Sequence, residues 1–207
     1  MTDVVFSDVE LRDGRKILYQ GLNFTLSGGL NAVYGPSRTG KSSILLLASG
    51  HLAPTAGRVL IDGKRPDRRR AGLGPIHDLT PLFDTLSVQE TILFQARLHK
   101  VRQPKARVAE LIAQYDLHDV RSYRVKDLAH LEQFRTGLAT ALVHRPDLIL
   151  IDEPERGLTN EEWEVAHGDL LRLTRDGHTV LMTTVLAQVA DRCATVIELP
   201  GGEVRSA

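Results

Sequence analysis

Eight consecutive residues, Gly35-Pro36-Ser37-Arg38-Thr39-Gly40-Lys41-Ser42, spell G-x-x-x-x-G-K-S, and this run restricts the fold more than any other part of the chain. Gly35 and Gly40 allow a backbone curl tight enough for successive N–H groups to converge on an anionic phosphate. Lys41 adds a cation for the β- and γ-phosphates, and the Ser42 hydroxyl is placed to ligate Mg²⁺. Such a loop belongs between a strand and a helix. Leu30-Asn31-Ala32-Val33-Tyr34 reads as a short buried strand before it, and Ser42 to Leu47 as an apolar helix whose N-terminus faces the phosphates. The candidate nucleotide-binding residues are therefore Gly35, Pro36, Ser37, Arg38, Thr39, Gly40, Lys41, Ser42 and Ser43, with ATP and Mg²⁺ as the expected cofactors.

Leu148-Ile149-Leu150-Ile151 is a continuous apolar run, the pattern of a central parallel strand covered on both faces. It ends in Asp152-Glu153-Pro154. In an open α/β sheet the carboxyl end of a strand is where ligands gather, so Asp152 is the carboxylate expected to hold the metal, directly or through water. Glu153 is the candidate catalytic base that orients or activates an attacking water. Alone, this pattern is common. Together with the loop at Gly35 it points to a phosphate-loop nucleotide site.

The chain has 207 residues, 42% of them hydrophobic, enough to bury one good core in a single compound domain spanning residues 1–207. Lys plus Arg equals Asp plus Glu at 26 each, so no global field favours nucleic acid or an anionic membrane. The densest charge run, Lys64 to Arg70, has no interleaved aromatic residues and reads as a solvated loop. Cys193 is the only cysteine, which rules out an internal disulfide and suits a reducing compartment. No apolar stretch approaches the ~18 residues that span a bilayer, and the start of the chain lacks the pattern of a signal peptide. A cytoplasmic location is expected.

Val4 to Leu26 alternates apolar and polar residues around Asp13-Gly14, as antiparallel strands do. Further strands are expected at Arg58–Ile61, Leu73–Ile76 and Thr179–Thr184, with Thr195–Leu199 closing the sheet. Ser87-Val88-Gln89-Glu90 matches a capping box and opens a helix to about His99. Pro104 starts another, to about Tyr115, and a third runs from about Leu128 to Val143. Thr159 with Glu162 caps a helix that ends near Gly177.

Strands first, a helical insert at about residues 87–143, then the acidic strand: this order resembles the nucleotide-binding domain of ATP-binding cassette (ABC) proteins, over essentially the whole chain. The resemblance is carried by Gly35 to Ser42, Leu82 to Glu90, Arg135 to Leu142 and Leu148 to Pro154, with Gly57 to Gly63 matching the hairpin after the first helix. It implies an α/β fold in which a phosphate-loop NTPase sheet has helices on both faces, an N-terminal antiparallel β subdomain and an inserted helical subdomain. No Asn-Lys-x-Asp motif is present to read guanine.

Several positions depart from the family pattern. Its Leu-Ser-Gly-Gly-Gln signature falls on Leu128-Ala129-His130-Leu131-Glu132, in a register set by Arg135, Ala139, Ala141 and Leu142. There the γ-phosphate donors are gone and a carboxylate has been added. The glutamine that contacts Mg²⁺ falls on Asp78, a candidate metal ligand of shorter reach. The histidine after the Thr179–Thr184 strand falls on Val185, and the aspartate after Gly157-Leu158 on Thr159. No aromatic residue lies at Leu11 to Gly14 to stack on adenine, which leaves Arg12 or Arg15 as weak substitutes. The retained set, Lys41, Ser42, Asp152 and Glu153, would bind Mg-nucleotide better than it would turn it over.

The resemblance implies an ATP-binding subunit of an ABC transporter, docked peripherally on a membrane permease at the cytoplasmic face and paired with a second cassette, itself or a distinct one. A soluble ABC-type regulator or scaffold is the alternative, and an unrelated phosphate-loop kinase is a third reading.

Overall fold

The computed structural model describes residues 2–14, 16–76 and 82–206. Strands β1 (Asp3–Asp13) and β2 (Lys16–Ser27) form an antiparallel hairpin, and β4 (Ala56–Ile61) pairs antiparallel with the other edge of β1. The larger sheet runs β5 (Ala71–Leu73), β6 (Leu148–Ile151), β7 (Thr179–Thr184), β3 (Leu30–Tyr34), β8 (Thr195–Glu198), β9 (Glu203–Ser206). Its pairings are parallel except that between β8 and β9.

Strand alternation sorts the large sheet into two cores. Leu148, Leu150, Leu181, Val33 and Ile197 face a core shared with α1 (Lys41–Ala48) and the small sheet. Ile149, Ile151, Val180, Met182, Ala32 and Val196 face the other, built with the remaining helices. Buried on both faces, β6 and β7 have every residue shielded from solvent, which is why they read as unbroken apolar or β-branched runs. The same alternation directs the residues at their carboxyl ends.

Helix α2 (Val88–Leu98) opens with a complete capping box: Ser87 Oγ accepts from the Glu90 amide at 3.2 Å and Glu90 Oε2 accepts from the Ser87 amide at 2.9 Å. Helix α3 (Pro104–Gln114) starts at its proline, and α4 (His130–Leu142) packs against α2, the strands β5 and β6, and α5 (Asn160–Arg175). Arg135 on α4 donates to the buried Asp169 on α5 at 2.9 Å, fixing that pair. One apolar cluster runs from Ile92 and Leu111 through Leu138 to Ile149 and Val180.

Two expectations about the sheet need correcting. β5 stops at Leu73 instead of running to Ile76, because Pro75 has no N–H to give a ladder and the last bond is Gly74 N to Leu150 O at 2.9 Å. β8 is not the closing strand: the chain turns back to add β9. All four β9 residues are exposed, so no apolar alternation marks it.

Beside α2, the rings of His99 and His144 stack in parallel, 3.9 Å between centroids. Burial, with His99 and then Arg107 adding to it, pushes the His144 imidazole down to about 4, while the Ala71 backbone pulls the other way. Burial also lowers His99, and both burial and Arg68 lower His51 nearby. A histidine held neutral in the fold contributes stability that is whole above its unfolded pKa near 6.5 and is lost as pH falls toward 4. After discounting for partial exposure, acidifying through that window should cost about 1–2 kcal/mol at His144. His144→Phe, which keeps a ring in the stack, should therefore unfold in urea with a smaller difference between pH 7 and pH 4.5 than the native chain. An unchanged difference would place the acid sensitivity elsewhere.

Candidate functional site

The loop between β3 and α1 is held by its neighbours at both ends. The Gly35 amide donates to Thr184 O at 3.3 Å, and a Cβ on Gly35 would come 2.6 Å from Leu199 O. Gly40 sits at φ 92°, and a Cβ there would meet the Tyr19 ring at 2.9 Å. Both glycines are thus required by space as well as by backbone. Arg38, at φ 67°, turns the tip of the loop. Gly40 gives α1 no side-chain cap and the first turn holds no acidic residue, so its free N–H groups and positive end face outward together. That is a cradle for an anion.

The Lys41 ammonium is 5% exposed and donates to Gly35 O at 2.9 Å and Pro36 O at 3.0 Å. Glu153 Oε1 lies 3.7 Å away, and Arg156 holds the other Glu153 oxygen at 3.8 Å. Ser42 Oγ lies 3.0 Å from each carboxylate oxygen of Asp152. Asp152 continues the face of Leu148 and Leu150, the face on which α1 lies, so alternation brings these two residues together across the chain.

Two threonines at the end of β7 complete the arrangement. Thr183 Oγ1 donates to Asp152 Oδ1 at 2.6 Å and accepts from the Glu153 amide at 3.0 Å. Thr184, on the opposite face, donates to Glu155 and accepts from the Leu186 amide at 3.0 Å. Burial raises the Glu155 carboxyl above the usual range, the Thr184 hydroxyl opposes this, and the Glu153 charge adds to the rise. Glu153 itself has φ 42°, an uncommon conformation for a residue with a side chain.

A hydroxyl beside a carboxylate is an oxygen donor set that suits a hard cation such as Mg²⁺, which usually takes one or two protein carboxylates and completes its shell with phosphate and water. Among the described residues no cluster of three or more His, Cys, Asp or Glu forms a metal cage. A cleft of about 430 Å³ runs from Asp152 and Glu153 to His130 and Gln133 at the start of α4.

The family model described as "ABC transporter" matches residues 19–156, from β2 through the acidic turn. The chain belongs to the ABC transporter family. It is 31% identical over 202 residues to the ABC transporter ATP-binding protein YvcR of Bacillus subtilis (strain 168), covering 90% of this chain and 78% of that protein. It is 30% identical over 210 residues to the Nod factor export ATP-binding protein I of Rhizobium etli, covering 98% of this chain and 66% of the relative. The solved dimeric ATP-binding cassette MJ0796, bound to ADP and Pi, superposes with a TM-score of 0.85 at 23% identity over 98% of each chain. That likeness places the fold as an ABC nucleotide-binding domain.

Against the ABC pattern, two of the divergent positions, Glu132 and Thr159, have identifiable roles in this chain. Glu132 Oε2 accepts from the Ala129 amide at 2.9 Å, half of a capping box on α4, and the His130 ring lies against Gly157. Thr159 caps α5, its hydroxyl accepting from the Glu162 amide at 3.2 Å. Val185 is exposed and offers no side-chain donor. The Arg12 guanidinium is engaged by Glu10, while Tyr19 packs under Gly40 and is too buried to stack on a base. Asp78 and Arg15 lie outside the described residues. Sequence reasoning passed over Thr183, Thr184 and Glu155. The only signal for them was a pair of hydroxyls at the end of a buried strand, where aliphatic residues would serve the packing.

Proposed function

We propose that this chain binds Mg-ATP through Gly35 to Ser43 and, as the nucleotide-binding subunit of a transporter, couples that binding to a membrane permease. The observation that carries the reading is the Ser42 hydroxyl resting on Asp152 beside the uncapped N-terminus of α1. The loop amides would take the phosphates, and Lys41 would leave two carbonyls for them. Ser42 and Asp152 would hold Mg²⁺, with Asp78 as a third candidate ligand. A bound Mg²⁺ supplies charge neutralisation at the phosphates. Glu153, between Lys41 and Arg156, is the group we assign to orienting water. Titrating the chain with a fluorescent ATP analogue tests the binding, and no saturable signal would overturn it.

The permease partner is supported by an apolar surface. Phe83 and Phe94 make an edge-to-face pair 5.3 Å apart and, with Leu98, stand exposed beside a groove of about 650 Å³. Exposed apolar clusters of this kind mark protein contacts. Among the described residues no helix is long and apolar enough to cross a membrane, so membrane attachment in this reading comes through the permease at its cytoplasmic face. Co-purification with a multi-span membrane protein checks it. Isolation as a soluble complex without one would favour the regulator reading.

Base selectivity should be weak. Stacking on an aromatic side chain contributes about 1–3 kcal/mol per base, and no aromatic platform stands on the described part of the β1–β2 turn. Competition titrations should give ATP and GTP affinities within about tenfold of one another. A preference for ATP beyond a hundredfold would mean that another group reads the base.

A further inference from the structure

We propose that Thr183 is a positioning residue for the metal-binding carboxylate, an inference that rests on the Mg-nucleotide reading of this site. Thr183 is fully buried, on the face of β7 that looks toward α1. A threonine hydroxyl has one proton to give and lone pairs to receive with. The Glu153 amide, 3.0 Å away, can only donate, so Thr183 Oγ1 is the acceptor there. Its single proton is therefore committed to Asp152 Oδ1, at 2.6 Å, a short charge-assisted contact.

The consequence is a fixed carboxylate. An aspartate side chain has two rotatable bonds, and Ser42 alone touches both of its oxygens equally, which does not select one orientation. Thr183 touches one oxygen, from a β-branched side chain with little χ1 freedom on a buried central strand. The same hydroxyl also ties down the backbone of Glu153, which is in the left-handed region at φ 42°. One side chain thus sets the carboxylate meant for the metal and the backbone of the residue meant for the water. Packing alone does not call for a hydroxyl here, since Leu181 serves the same face of the strand as an aliphatic residue and a buried hydroxyl is costly unless paired.

The test uses two variants of the full chain and a fluorescent ATP analogue. Thr183→Val keeps the shape and removes the hydroxyl; Thr183→Ser keeps the hydroxyl. Nucleotide affinity is measured in EDTA and across a Mg²⁺ titration. Outer partners of metal ligands typically change metal affinity by about 10–100-fold when lost. Thr183→Val should raise the Mg²⁺ concentration needed for half effect by about tenfold or more on that basis, with affinity in EDTA within about twofold of the native chain, and Thr183→Ser should behave as the native chain. A Thr183→Val variant with the native Mg²⁺ dependence overturns the proposal. So does a variant whose affinity falls equally in EDTA and Mg²⁺, which would make the role structural. If the native chain binds the analogue no better with Mg²⁺ than with EDTA, the metal reading of the site fails first, visibly before any variant is compared.

Discussion

Lys41→Ala is expected to weaken Mg-ATP binding by about a hundredfold or more, since charge-assisted hydrogen bonds each contribute about 1.5–3 kcal/mol. Lys41 is the cation whose Nζ already lies inside the loop, on the carbonyls of Gly35 and Pro36 and near Glu153. Those carbonyls stabilise the ammonium at the place where phosphate oxygens would replace them. Removing it leaves the phosphates with the loop amides and the metal alone, and Glu153 facing them without the ammonium beside it. Calorimetric titration of native and Lys41→Ala chains checks this, with thermal melts to confirm that the variant folds. Equal ATP affinities would remove the loop from the binding site.

A homodimer of this chain is expected to hydrolyse ATP very slowly. In the head-to-tail pairing that the ABC family resemblance implies, each nucleotide would be completed by residues 128–132 of the other subunit. Here that segment brings Ala129, His130 and Leu131, and the Glu132 carboxylate sits on the α4 N-terminus where an anion would otherwise be received. Losing a donor at a developing charge costs roughly 10²–10³ in rate. Paired with a distinct cassette that keeps the signature, Lys41, Asp152 and Glu153 would build one serviceable site and leave the other impaired. We infer such an asymmetric complex. Subunit composition and ATPase rate of the assembly purified with its membrane partner decide the matter. Two identical copies turning over several ATP per second, with loss of that activity in Glu153→Gln, would refute it.

The parts of this molecule that were legible in its sequence are those whose local residues impose their own geometry. The phosphate loop carries its glycines with it, Ser87 and Thr159 carry their capping partners three residues on, and β6 and β7 are apolar or β-branched because both faces are covered. What could not be read was set by distant neighbours. The hydroxyls of Thr183 and Thr184 find carboxylates 31 and 29 residues away, and in sequence both residues signal only strand propensity. β9 escaped because an edge strand exposed on all four residues has no pattern to show. The four-residue α6 (Ala187–Ala190) was too short for periodicity. Glu132 read as a charge intruding on a phosphate site, and its bond to the Ala129 amide shows what it does for its own helix.

That bond also bears on reversal. In the family pattern position 132 is a glutamine, and Glu132→Gln would remove the charge while leaving a side-chain oxygen able to accept from the Ala129 amide, so the contact at the head of α4 need not be lost. Regaining a phosphate grip turns instead on positions 129–131: a hydroxyl at position 129 would return a donor and a side-chain cap together, whereas glycines at positions 130 and 131, the first residues of α4, would each destabilise the helix by up to about 0.5–1 kcal/mol. Return to the family signature is thus opposed by the two glycines and not by the charge at position 132.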